Sequence, residues 1–112
     1  SKVRRLFTIQ SSLLPGGVTR RYRVSGQVFF ASVDRFASAF DFKEVLDAVV
    51  IDVSQAHFWD ISAIAALDRV VMKFRREGTT VKLVGVTEAS AAMIDRFSLY
   101  EKPGAVDELA SH

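Results

Sequence analysis

The chain reads as an α/β domain, a mixed β-sheet packed against amphipathic helices, and three observations predict this. First, Ala48-Val49-Val50-Ile51-Asp52-Val53 is a short, nearly unbroken apolar run rich in β-branched residues, the pattern of a central strand covered on both faces. Second, Ile64, Leu67, Val71 and Phe74 recur at i, i+3, i+7 and i+10, one stripe of a helix, with Asp68, Arg69, Lys73 and Arg76 expected to turn largely away. Third, strand-like and helix-like segments alternate through the second half, which implies right-handed crossovers between parallel strands. The first two strands are close in sequence and are expected to pair antiparallel.

Each element has a local cause. Val3 to Gln10 has strand character, Leu14-Pro15-Gly16-Gly17 is a turn, and Thr19 to Ser25 is a second strand, so the pair forms a hairpin. Val28 to Ala31 continues that strand past a kink or bulge at Gly26. Ser32 caps a helical stretch to Phe40 with Val33, Phe36 and Phe40 on one face. The strand at Ala48 to Val53 leads to a helix from Ile61 to Arg76 that stops at Gly78. Asp60, a favoured N-cap residue, stands directly before that helix, so Ser62 falls in the first turn, where backbone N–H groups lack partners and the dipole is positive. Thr80 to Val86 is a further strand, Thr87 caps a helix from Glu88 to Phe97, and a short helix follows Pro103-Gly104.

Composition sets limits. A chain of 112 residues, 49% of them hydrophobic, holds one core and is far from the disordered class. The reading is a single domain over 1–112, with a core at about 20–105 and flexible ends. No apolar run approaches the roughly 20 residues needed to cross a bilayer, and no signal-peptide pattern opens the chain. With no cysteine there are no disulfides and no thiolate metal sites. The net charge is only +2, but Lys2, Arg4, Arg5 and then Arg20, Arg21 and Arg23 are clustered. They fit either a solvated strand edge that discourages pairing or a basic surface for anionic lipid or an acidic protein partner. Nucleic acid is not indicated, because no aromatic residues interleave with these clusters and no groove-reading motif is present.

Two segments carry a family resemblance. Val50-Ile51-Asp52-Val53, then Phe58-Trp59-Asp60-Ile61-Ser62-Ala63, then Leu67 and a helix ending near Gly78 resemble the signature of STAS domains. The name stands for sulphate transporters and anti-sigma-factor antagonists, the two branches that share the fold. Antagonists carry Asp-Ser-Ser-Gly at this turn, with the second serine phosphorylated to control partner binding. Here only Asp60 and Ser62 match, and Ile61 and Ala63 depart. Gly26-Gln27-Val28-Phe29-Phe30-Ala31-Ser32 is similar to the start of the domain in SulP transporters, and Arg75-Arg76-Glu77-Gly78, Val84-Gly85-Val86 and Asp95-Arg96-Phe97 fit that branch as well. The resemblance spans about residues 20–105. It implies a non-catalytic regulatory and protein-interaction domain of a SulP-type secondary transporter for sulphate, bicarbonate or dicarboxylate. The domain would lie on the cytoplasmic side of the inner membrane, within an integral membrane protein whose transmembrane part is its partner. The alternative it implies is a stand-alone anti-sigma-factor antagonist switched by serine phosphorylation.

The candidate site is therefore the turn Phe58, Trp59, Asp60, Ile61, Ser62 and Ala63, as a protein-contact and phosphorylation surface. Phe58 and Trp59 are expected either as a hydrophobic staple over the helix start or as an exposed docking patch. Neighbouring Phe29 and Phe30 cannot both point inward on a strand, so one of them faces away. No cofactor and no metal are expected. His57, Asp60 and Ser62 crowd one loop but lack oxyanion-hole glycines, and two lone histidines have no metal-ligand spacing. Asp52 at a strand end is expected to hydrogen-bond the following loop. Nucleotide binding at the helix start is expected to be weak at most, for want of a glycine-rich cradle.

Overall fold

The structure, a computed structural model, describes residues 6–86. The expected strand start at Val3 and the expected helices over Glu88–Phe97 and after Pro103-Gly104 lie outside that range. Strands β1 (Phe7–Leu13), β2 (Thr19–Val28), β3 (Ala48–Phe58) and β4 (Thr80–Val84) form one sheet in the order β1-β2-β3-β4. The β1–β2 pair is antiparallel and the β2–β3 and β3–β4 pairs are parallel, the mixed sheet the sequence predicts. A 3-10 turn (Phe30–Ser32) and helix α1 (Val33–Ser38) lie between β2 and β3, and helix α2 (Ile61–Arg76) between β3 and β4. Helix α2 has the predicted bounds, whereas α1 is shorter than the Ser32–Phe40 stretch.

Both helices contribute to one apolar layer. From the sheet come Phe7, Tyr22, Val24, Val28, Val49, Ile51, Val53, Phe58, Val81 and Leu83, and from α2 the stripe Ile64, Leu67, Val71 and Phe74, all buried. Edge-to-face contact between Phe36 and Phe58, with ring centroids 5.8 Å apart, and a tilted contact of Tyr22 with Phe74 at 6.0 Å tie the helices to the strands.

The third strand departs from expectation in two ways. It is not covered on both faces among the described residues: Val49, Ile51 and Val53 are buried, but Val50 and Asp52 are half-buried. Val50 stands in register between Arg21 and Lys82 on the outer face. The strand also runs on to Phe58, because pairing with β2 resumes at Ser25↔Gln55 and ends at Val28↔Phe58. His57 therefore belongs to the strand and not to a loop.

A bulge makes this extension possible. Arg23 pairs with Asp52, but the next pair is Ser25 with Gln55, so Val24 of β2 faces both Val53 and Ser54 of β3. An extra residue shifts the two-residue side-chain period by one. Before the bulge the odd positions 49, 51 and 53 point inward; after it Phe58 is buried and Ala56 packs against the core. The bulge is braced from within and from outside. Asp52 Oδ1 accepts a hydrogen bond from the Ser54 N–H at 2.9 Å. Gly85, at φ +77°, passes so close that a Cβ there would lie 2.4 Å from the Ser54 Cβ. Burial disfavours the charge of Asp52, but the Ser54 hydrogen bonds, Arg23 and Arg21 outweigh it and hold this carboxyl below its ordinary value.

Asp68 is a second correction, since it is buried and not turned away, with 3% of its surface exposed. It lies four residues after Ile64 and three before Val71, at the margin of the apolar stripe, where the α1 side of the fold covers it. Among the described residues its Oδ1 has no hydrogen-bond partner. Burial pushes this carboxyl above its ordinary value, with Arg69 and Arg75 partly opposing.

Two measurements check this packing. Gly85→Ala must force a side chain into the bulge at a left-handed backbone position, and should lower stability by more than about 1 kcal/mol in denaturant melts. Asp68 favours the folded state when protonated, so its contribution is present at low pH and lost as pH rises through the raised folded-state value. The Asp68→Asn protein should accordingly lack that loss, and its urea midpoint should equal or exceed that of the parent at neutral pH.

Candidate functional site

The bulge sets which side chains the turn after β3 presents. Because Phe58 is directed inward, His57 and Trp59 point out, and their rings stack with centroids 4.4 Å apart at 20°. The Trp59 indole N–H donates to Gln27 Oε1 on the adjacent strand. Its backbone N–H donates to the Val28 carbonyl at 2.9 Å, which extends the parallel ladder to the edge of the turn. Trp59 is 57% exposed and Ile61 54% exposed, so Trp59 stands out from the surface and does not fold over the helix start as a staple. Phe58 and Ala63 are buried in the core and reach no partner directly.

Asp60 joins two elements. Its Oδ1 accepts from the Ala63 N–H at 2.9 Å and caps α2, as the sequence predicts. Its Oδ2 accepts from the Phe30 N–H, also at 2.9 Å. One carboxylate thus closes the first turn of α2 and fastens the 3-10 turn that follows β2. That turn is locked from its other side by Ser32, a buried residue whose Oγ accepts from the Phe29 N–H and donates to the Phe29 carbonyl, each at 3.0 Å. Between these two fastenings Phe30 is held outward, 67% exposed, with its ring edge-to-face on Phe29 at 5.6 Å.

The resulting surface joins Phe30 from one loop to Trp59, Ile61 and exposed Ser62 from the next. Three bulky apolar groups and a hydroxyl at a helix start surround an acidic centre, Asp60. Single exposed apolar residues are ordinary on protein surfaces; here residues from two loops share one surface and are held there by main-chain and carboxylate hydrogen bonds. Sequence reasoning includes Trp59, Asp60, Ile61 and Ser62 and misses Phe30, Gln27 and His57. The signal for Phe30 is parallel pairing, which places the ends of β2 and β3 side by side.

The same geometry bears on anion binding. The Asp60 carboxylate already takes one of the free N–H groups at the start of α2, and its charge opposes an incoming phosphate. Asp52 bonds Ser54 within its own strand instead of a following loop, and lies 3.8 Å from Arg23 Nε. Among the described residues no group of three or more His, Cys, Asp or Glu is placed to hold a metal ion.

The arginine cluster divides. Arg20 is clamped by Glu44, Nε to Oε1 at 2.7 Å and Nη2 to Oε2 at 3.0 Å. Arg21 and Arg23 lie on the outer face of an inner strand, beside Gln10, Ser11 and Ser12 of β1, so the solvated-edge reading gives way to a polar sheet face.

Comparison with known proteins places this geometry in a family context. The family model for the STAS domain matches residues 15–111. The chain is 43% identical over 79 residues to YbaR of Bacillus subtilis, described as a sulfate transporter, in a match covering 70% of this chain and 16% of that protein. The chain therefore spans only a small part of that relative. A crystal structure of an anti-sigma-factor antagonist STAS domain from Rhodobacter sphaeroides is 60% identical with a TM-score of 0.73, over 76% of this chain and 92% of that one. The STAS domain of a SulP transporter from Vibrio cholerae shares the fold at 20% identity and a TM-score of 0.61, over 88% of this chain and 72% of that one.

Removing the Asp60 carboxylate should release both fastenings at once. The Asp60→Ala protein should lose about 1–2 kcal/mol in urea melts, and amide exchange at Phe30 and Ala63 should accelerate together. Acceleration at Ala63 alone would show that Asp60 is a helix cap and does not join the loops.

Proposed function

This chain belongs to the STAS domain family, and on that premise we propose that it is a non-catalytic protein-interaction module acting through the Phe30, Trp59, Ile61 and Ser62 surface. The observation that carries the reading is the pairing of two solvent-exposed aromatic residues from separate loops, both fixed by backbone hydrogen bonds next to Asp60. Aromatic anchors of this kind concentrate binding energy because large apolar area is presented with little rotamer entropy left to lose. The described residues contain no helix long and apolar enough to cross a membrane.

Two settings fit this surface. In the first, the chain is the cytosolic regulatory domain of a SulP-type anion transporter, and the patch meets the transmembrane part of the same protein or a regulatory partner. The similarity to YbaR and the Ile61 and Ala63 departures from the antagonist motif favour it. In the second, the chain is an antagonist of an anti-sigma factor. That setting draws on the 60% identical Rhodobacter domain, whose description names that role. Both use the same turn, and in both a phosphate on Ser62 adds roughly −2 charge to a surface that must desolvate to bind. The transporter setting is preferred because an antagonist switch needs the kinase-recognised serine context that Ile61 and Ala63 replace.

Ser62 is exposed in the first turn of α2, where added negative charge is compatible with the helix dipole. In the parent protein, Ser62→Asp and Trp59→Ala should each reduce transport or partner affinity, by about tenfold for the Trp59 truncation, while the melting temperature stays close to that of the unaltered domain. Full transport and undiminished partner capture in both variants would reduce the turn to a helix cap.

A further inference from the structure

A second feature lies at the edge of the sheet, away from the turn after β3. Among the described residues β1 is an edge strand, paired with β2 on one side only. Its register with β2 runs unbroken from Phe7↔Gly26 to Leu13↔Arg20. Just beyond these limits the Gln27 N–H donates to the Leu6 carbonyl at 2.6 Å, and the Leu14 N–H donates to the Thr19 carbonyl at 2.8 Å. Hydrogen-bonded positions alternate along an antiparallel ladder, so Leu6, Thr8, Gln10, Ser12 and Leu14 direct their backbone groups at β2. Phe7, Ile9, Ser11 and Leu13 direct theirs away from it. Sheet edges are ordinarily guarded by charged side chains, proline or a bulge, and Phe7-Thr8-Ile9-Gln10-Ser11-Ser12-Leu13 has none of these. The opposite edge of the described sheet, β4, spans five residues against the seven of β1 and carries exposed Lys82. Leu13 lies on the same face of β1 as buried Phe7, yet is 47% exposed.

We infer that β1 is a homodimerisation edge, at which two copies of this chain pair β1 with β1, antiparallel, about a two-fold axis at Gln10. The parity of the outward backbone groups fixes the register. They sit on odd residues in both copies, so only a register that sets odd residues against odd residues makes hydrogen bonds. Of these registers, the one centred on Gln10 uses all four positions: Phe7 meets Leu13 of the second copy and Ile9 meets its Ser11, each pair occurring twice by symmetry. The same register lays the buried Phe7 of one copy beside the exposed Leu13 of the other. An uncharged strand meets an uncharged strand, so no like-charge pair opposes closure. A second copy is favoured over an unrelated strand because a two-fold contact is self-complementary and closes at two. It consumes both β1 edges and leaves β4, with its lysine, as the outer edge of the described sheet. A contact confined to paired strands buries little area, so association of the isolated chain is weak and concentration-dependent. The inference holds in either setting of the Trp59 surface.

Sedimentation of the 112-residue chain should show a reversible monomer–dimer equilibrium. Hydrogen exchange supplies a signature of the register: the Ile9 and Ser11 amides should gain protection as concentration rises, while Thr8, Gln10 and Ser12, already bonded to β2, should not respond. Ser11→Pro removes an outward N–H and spares the β2 ladder, so it should weaken dimerisation about tenfold or more with little change in the urea midpoint. Exposed Gln10 stands opposite its own copy across the axis. Gln10→Lys and Gln10→Glu should therefore each weaken self-association about threefold, and mixing the two should restore it as a heterodimer. Because the chain has no cysteine, Gln10→Cys should form a single oxidative cross-link, whereas Ser12→Cys, set opposite Thr8, should not. A chain that stays monomeric up to about 1 mM, or equal cross-linking at positions 10 and 12, would overturn the inference. So would Ile9 and Ser11 protection that persists on dilution, which would mean that another part of the same chain covers the edge. The exposed Gln10 variants keep the test decisive if Ser11→Pro does not fold.

Discussion

The bulge at Val53 and Ser54 is the constraint on which the rest of this domain depends. A strand has a strict two-residue period, so one extra residue exchanges the faces of everything beyond it. Without it, the parity that buries Val49, Ile51 and Val53 would direct His57 and Trp59 into the helices and Phe58 into solvent. With it, a single strand uses odd positions for the first half of the core and even positions for the second. The Asp52 carboxylate, the Ser54 amide and the close approach of Gly85 all converge on this point. The tight backbone packing there explains why a glycine with a left-handed conformation follows β4.

From that one irregularity the exposed Phe30, Trp59 and Ile61 surface follows by ordinary chemistry. Trp59 emerges beside the end of β2, in reach of Gln27, and the next residue, Asp60, reaches both the α2 N-terminus and the Phe30 amide. A residue that caps a helix is usually spent on that helix alone. Here the second carboxylate oxygen sets the position of a loop that sequence separation makes distant, so one side chain fastens two loops together. Preorganisation of this kind lowers the ordering cost of any contact made on that surface.

Helix α2 serves two faces of the molecule. Its first turn presents exposed Ile61 and Ser62, its apolar stripe joins the core, and its later turns face α1. Asp68 marks the seam between the last two. It sits where the stripe ends, too covered for solvent and too polar for the core, while Arg69 and Lys73 nearby are exposed.

The sequence by itself determined the class and order of the elements, because hydrophobic period, capping and turn chemistry are local. The bounds of α2, the Asp60 cap, the mixed sheet and the Ile64, Leu67, Val71 and Phe74 stripe were legible for that reason. So was the family, through motifs that are themselves local strings. The tertiary structure decided the rest: the length of β3, the split of Phe58 from Trp59, the presence of Phe30 in the site, the burial of Asp68 and the one-sided cover of β3. Each of these depends on which chain segment lies alongside, through strand register or the seating of α1, and no periodicity within a single segment contains that information.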